Sequence, residues 1–222
     1  MSKESLHHGD TTGNTYTDLG ATTREAYEIS RKSRTLARET LGNSGPEDRV
    51  RQRCSVAVGD FAMADLIRFT MDPVAAGLKA LERGDPIITD IRMVEVGIQK
   101  RGHRSEVLCA LDFSQGAGEA GITRTSQGFK NLGPRIGNSI VVIGNAPSAL
   151  LTLCGMIRDG IVPSLVIGTP VGFVNAAESK ALLRTIEVPS ISTEGTRGGT
   201  PVAVAALNEI ITMFAEQPGR NS

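Results

Sequence analysis

Basic side chains beside glycine-rich turns are the residues here best suited to chemistry, because guanidinium groups and free backbone N–H groups together hold carboxylates. Arg197 lies among Gly195, Gly198 and Gly199, just ahead of an apolar helical run. Two readings stay open there: a carboxylate clamp, or a plain turn into the helix with a solvated arginine. Between residues 24 and 53 stand eight basic residues, Arg24, Arg31, Lys32, Arg34, Arg38, Arg49, Arg51 and Arg53, against five acidic ones. Such a run is ordinarily a solvated helix face. Asp90 and Arg92 flank Ile91 directly after the apolar stretch Pro86-Ile87-Ile88-Thr89. Opposite charges at the end of a buried strand are expected to pair, so Asp90 either orients a ligand-binding Arg92 or anchors the loop.

Other chemistries lack their residues. The histidines are His7, His8 and His103, and the cysteines Cys54, Cys109 and Cys154 form no CxxC pair. A zinc site of the usual spacing and a disulfide framework are therefore not expected. His103, within Lys100-Arg101-Gly102-His103-Arg104, reads as an ordinary surface residue. No GxxxxGK(S/T) phosphate loop occurs, and no GxGxxG directly follows a strand. With 24 basic and 24 acidic residues the net charge is zero, which leaves no field to gather nucleic acid or an anionic membrane. Any anionic ligand must be held by local groups. Aromatic residues make up 4% and Trp is absent, so a planar ring would rest mainly on aliphatic surface and backbone. The polar start reads as no secretory signal, and no run of about 18 apolar residues occurs; the expectation is a soluble, cytoplasmic protein.

The elements that must position these groups follow from periodicity. Residues 1–21 are polar and aperiodic and read as a flexible tail, 22–217 as a single α/β domain, and 218–222 as a short C-terminal tail. Helices are predicted from Thr22 or Thr23 to Leu41, from Pro46 to near Gly59, and over 61–69, 73–81, 93–100, 124–131, 149–160, 175–186 and 200–217. Strands are predicted over 86–89, 106–112, 139–145 and 164–169, the last two being continuous apolar runs typical of a sheet buried on both faces. Strand-helix alternation with short loops argues an α/β fold with a largely parallel sheet. Four strand ends lead into unusual loops at 89–93, 144–148, 168–173 and 193–199, the last three rich in Gly or Pro. Any one of them is explained by turn chemistry, but together they mark the sheet edge where α/β folds bind ligands.

Four segments carry a resemblance: Pro86-Ile87-Ile88-Thr89-Asp90-Ile91-Arg92-Met93-Val94, the stretch from Ile143 through Gly144-Asn145-Ala146-Pro147 to Leu150, the stretch from Val166 through Pro170-Val171-Gly172-Phe173 to Lys180, and Arg197 to Asn208. In order and spacing, over roughly 24–210, the chain resembles the precorrin-8X methylmutases of cobalamin biosynthesis. The resemblance implies a three-layer α/β/α fold with a mostly parallel central sheet, and a homodimer with sites near the subunit interface. It implies an isomerase that moves a methyl group from C-11 to C-12 of a precorrin-8 macrocycle, giving hydrogenobyrinate or its cobalt form, with no cofactor or metal of its own. Precorrin-8X or cobalt-precorrin-8 is then the partner, and its many carboxylates give the arginines a purpose.

Residue by residue, Glu28-Ile29-Ser30-Arg31-Lys32-Ser33 matches a helical family motif whose last serine contacts substrate, with Ser30 in place of tyrosine. Arg53 and Gly59 match a family Arg-x-x-His-x-x-Gly motif, in which Val56 takes the place of the proton-transferring histidine. The expected substrate contacts are Ser33, Arg53, Arg92, Arg124, Arg197 and Gly198, with Asn145, Ala146, Pro147, Gly172, Phe173 and Asn175 shaping the cavity. Valine has no proton to exchange, and losing a general acid or base costs on the order of 10² to 10⁴ in rate. Cys54 and Ser55 adjoin it but point elsewhere on a helix. A sigmatropic methyl shift is unimolecular, so geometry alone can accelerate it. The alternatives are a family relative that binds a corrinoid or another tetrapyrrole without isomerising it, and an enzyme of altered chemistry on a different substrate.

Overall fold

The computed structural model describes residues 23–115 and 121–219. The tail expected over 1–21 lies outside the described residues, as do 220–222 of the expected C-terminal tail. Eight helices of the described residues are α1 (Arg24–Leu41), α2 (Pro46–Val58), α3 (Pro73–Arg83), α4 (Arg92–Gly97), α5 (Arg124–Leu132), α6 (Pro147–Arg158), α7 (Ala176–Leu183) and α8 (Thr200–Ala215). Six strands are β1 (Ile67–Thr70), β2 (Ile87–Thr89), β3 (Val107–Cys109), β4 (Ile140–Ile143), β5 (Leu165–Gly168) and β6 (Ser190–Thr193).

The strands form one sheet in the order β1-β6-β5-β4-β2-β3. All neighbours pair in parallel except β1, which runs antiparallel to β6, with Ile67 opposite Thr193 and Thr70 opposite Ser190. Alternation along the strands divides the core. Ile140, Val142, Leu165 and Ile167 pack with residues of α2, α3, α4 and α8, while Val141, Ile143 and Val166 pack with α5, α6 and α7. Each central strand is thus buried on both faces, which is why its sequence is continuously apolar. The result is the three-layer α/β/α arrangement, with α1 laid outside on α2.

Three predicted elements differ from the sequence expectation, and strand β6 is absent from the strands predicted. The helix predicted over 61–69 is a 3-10 segment, Phe61–Leu66, started by the Asp60 carboxylate accepting the Ala62 N–H at 2.9 Å, followed by strand β1. Ile67 and Phe69 are β-formers, and their pairing with β6 outweighs a helical period too short to be decisive. The helix predicted over 93–100 is cut to Arg92–Gly97, and the strand predicted over 106–112 ends at Cys109, where 3-10 geometry takes over through Phe113. The expected Asp90–Arg92 pair does not form. Asp90 is fully buried and accepts N–H bonds from Ile91, Gly144, Asn145 and Ala146 at 3.0, 3.3, 2.8 and 2.9 Å. Arg92 turns outward to Glu95 at 2.6 Å and to Asp112. Main-chain donors converging from the β4–α6 turn satisfy the carboxylate, so it needs no guanidinium.

Candidate functional site at the carboxyl edge of the sheet

Strands β2 to β6 run parallel, so the segments that follow them emerge at one edge. There the structure gathers Arg92 after β2, Arg124 at the start of α5, Asn145-Ala146-Pro147 after β4, Gly172, Phe173 and Asn175 after β5, and Arg197 and Gly198 after β6. Asp90 is the tie beneath the first of these turns, holding the amides of 144–146 while Pro147 opens α6. Burial pushes its carboxyl above the usual range, and the four N–H bonds pull the other way. Arg124 is placed by Thr123, whose hydroxyl caps α5 and meets the Ser148 hydroxyl of α6 at 2.9 Å.

The loops after β5 and β6 are joined to each other. The Gly199 N–H donates to the Thr169 carbonyl at 2.7 Å, and the Gly172 N–H donates to the Thr196 carbonyl at 3.1 Å. Gly198 has φ +155°, and a Cβ there would overlap the Thr169 carbonyl oxygen, so this close approach requires glycine. Arg197 reaches back to Asp60 at the end of α2. That bond holds the Asp60 carboxyl below its usual range. Beside this framework Phe173 is 94% exposed and Val174 75% exposed, an apolar tip with no described residue covering it.

Arg53 and Val56 lie on α2, about two turns and one turn before the Asp60 that binds Arg197, and Ser33 lies on α1. Ser33 donates to its own helix at the Ile29 carbonyl, 3.0 Å away. Arg53 is drawn along α8, where its Nη1 donates to the Asn208 carbonyl, Glu209 Oε2 and Thr212 Oγ1 at 3.1, 3.0 and 2.9 Å. Glu209 is 2% exposed and also binds Arg49 at 2.7 Å, so one buried carboxylate joins two arginines. It stands about 13 Å further along α8 than Thr200. Val56 lines a narrow cleft of about 20 Å³ with Arg34, Ala37, Arg49, Gln52, Arg53 and Glu209. The adjacent Cys54 faces the core and donates to the Val202 carbonyl at 3.6 Å, and burial pushes its thiol up to about 12, so it is a poor proton source. His103 accepts from the Ser105 N–H at 3.1 Å and contacts the Gln99 carbonyl at 2.7 Å. Among the described residues no three His, Cys, Asp or Glu side chains gather as a metal site, and no helix is long and apolar enough to cross a membrane.

Comparison with known proteins decides the kinship. Residues 28–213 match the model of the family described as precorrin-8X methylmutase. The chain belongs to the precorrin-8X methylmutase family. It is 38% identical over 206 residues to a cobalt-precorrin-8 methylmutase of Methanocaldococcus jannaschii, covering 87% of this chain and 96% of that one. It is 39% identical over 200 residues to the cobalamin biosynthesis protein CbiHC of Archaeoglobus fulgidus, covering 90% of this chain but only 42% of that longer protein. The solved precorrin-8X methylmutase of Thermus thermophilus superposes with a TM-score of 0.76 at 35% identity, over 85% of this chain and 96% of that one. Members of this family are isomerases, and the methylmutase fold expected from the resemblance is the one found.

Lys180, Glu209 and Asp60 escaped the sequence reading as site-forming residues. Lys180 carried a signal: it sits on the buried face of α7 with Ala176, Ser179 and Leu183, where a lysine is out of place unless its amine has a partner.

Proposed function

We propose that this chain is a methylmutase acting on precorrin-8X or its cobalt form, moving the methyl group from C-11 to C-12. The observation that carries the reading is the convergence of Arg92, Arg124 and Arg197 with the apolar Phe173 tip at one sheet edge. Guanidinium groups suit the peripheral carboxylates of such a macrocycle, and the apolar tip suits a ring face. Because the shift is intramolecular, a site that holds the ring strained and oriented lowers the barrier without a covalent step. In the Val56 cleft, the carboxylate of Glu209 is engaged by Arg49 and Arg53, so the reading rests catalysis on orientation rather than on proton transfer there.

The proposal includes a homodimer. The edge is open in one chain, and the cleft beside Val56 encloses about 20 Å³, against roughly 300–1,000 Å³ for a pocket that buries a ligand of this kind. A second copy laid over the exposed tip would supply the missing wall. A cytoplasmic location belongs to the same proposal, in keeping with three buried free cysteines.

The test is an anaerobic absorbance time course with precorrin-8X and with its cobalt form, run for the wild type and for Val56→His, beside a binding titration of each. Conversion by the wild type supports the reading. Binding without conversion, with activity appearing only in Val56→His, would replace it with a corrinoid-binding relative. Absence of binding in both would remove the substrate assignment.

A further inference from the structure

Lys180 is among the largest fully buried side chains of the protein, at 0% exposure. Its ammonium donates to Thr193 Oγ1 at 3.0 Å and to the Arg197 carbonyl at 2.7 Å, and Thr193 Oγ1 itself donates to that same carbonyl at 2.7 Å. Among the described residues no carboxylate pairs with it. The charged group that acts on it is Arg184, another cation just past the end of α7, which donates to Ser192 Oγ and to the Thr193 carbonyl, both at 3.3 Å. From β6 and the following loop it meets only hydroxyl and carbonyl oxygens. A buried cation without a counter-charge is costly, and methionine would fill the same space without that cost. Burial accordingly brings the amine down to about 8.

The location gives the cost a use. Helix α7 begins directly after the Phe173 tip, and Lys180 on its buried face reaches the carbonyl of Arg197 in the neighbouring loop. With the Gly199-to-Thr169 and Gly172-to-Thr196 bonds this makes three ties between the β5–α7 segment and the 194–199 loop. Only the lysine tie comes from a side chain. We infer that Lys180 is a positioning residue that locks the Arg197 loop to the Phe173 loop, so that guanidinium and apolar tip are presented to the ligand in fixed relation. Its bearing on substrate rests on the methylmutase reading above.

The test compares wild type with Lys180→Met in three measurements: thermal melting, hydrogen exchange of the 194–199 amides, and steady-state kinetics with precorrin-8X. The expected result is an intact melt, exchange of 194–199 faster by about tenfold, and KM raised about tenfold with a smaller change in kcat, as for lost uniform binding. Exchange and KM at wild-type values would overturn the inference. If Lys180→Met fails to fold, Lys180→Gln, whose shorter side chain cannot keep both bonds, replaces it; it should move exchange in the same direction by less, and no movement overturns the inference. Should the wild type neither bind nor convert precorrin-8X, the substrate reading falls, and the exchange measurement decides the role of Lys180 by itself.

Discussion

Asp90 and Lys180 are the two buried charges on which the site's loops rest, and they behave differently. Asp90 receives four main-chain N–H bonds. In Asp90→Ala those donors lose their acceptor, each at roughly 1–3 kcal/mol when buried. The expected loss is about 3 kcal/mol or more in urea unfolding, with a smaller loss in Asp90→Asn, which keeps one carbonyl oxygen. Lys180 offers a pH test. A free lysine titrates near 10.4, whereas burial holds this one at about 8. Between those values the unfolded chain keeps a proton that the folded chain has released, so this group makes stability rise with pH across that window, and below it the fold carries an uncompensated charge. The stability of Lys180→Met relative to wild type should therefore decline from pH 8 to pH 10; a flat difference in denaturant titrations would sink this account. The role of Asp90 could not be read from sequence. Three of the four partners of Asp90 are amides more than fifty positions away, and backbone donors leave no mark in residue types. The neighbours Asp90 and Arg92 invited a pairing that geometry does not provide.

At the scale of elements, the joint between α2 and α8 is electrostatic at its far end and apolar near the loops. Glu209 binds Arg49 and Arg53, and Arg49 also binds Glu216 at 2.7 Å, while Val50 and Cys54 pack with Val202, Ala206 and Ile210 in the core. Removing one member of such a buried group strands the others. Glu209→Ala is expected to destabilise by about 3 kcal/mol, measured by chemical unfolding. Arg53→Ala should lower stability as well as any corrinoid affinity, because its Nη1 is spent on α8; an affinity loss at wild-type stability would return Arg53 to a purely ligand-binding role. The elements themselves were legible where burial is two-sided. Strands β4 and β5 are fully buried apolar runs, and their periodicity admits no solvent face. Strand β1 was not legible, because it lies at the sheet edge with three of four residues half-buried and includes Arg68, so neither alternation nor continuous apolarity marks it.

For the molecule as a whole, the apolar surface left open bears on assembly. Phe173 and Val174 stand out at the carboxyl edge, and Tyr27, Ile29 and Leu36 are exposed along α1. Exposed apolar groups of this size are usually covered by a partner or a ligand. Sedimentation should give a dimer at micromolar concentration, and Phe173→Asp should weaken either self-association or corrinoid binding; a monomer unaffected by that change would leave the tip without a role. The layered fold and the family were readable from long, specific strings of sequence, but the bonding of Arg53 to Glu209 and Thr212 depends on how α2 lies against α8, which no local pattern encodes. The bonds between the loops after β5 and β6 also constrain how such a protein can change. Thr169, Gly172, Thr196, Gly198 and Gly199 hold one another by backbone, so neither loop can lengthen or shift alone. Inheritance should treat them as one character, and descendants with new ligands should differ first in the turn that follows β3.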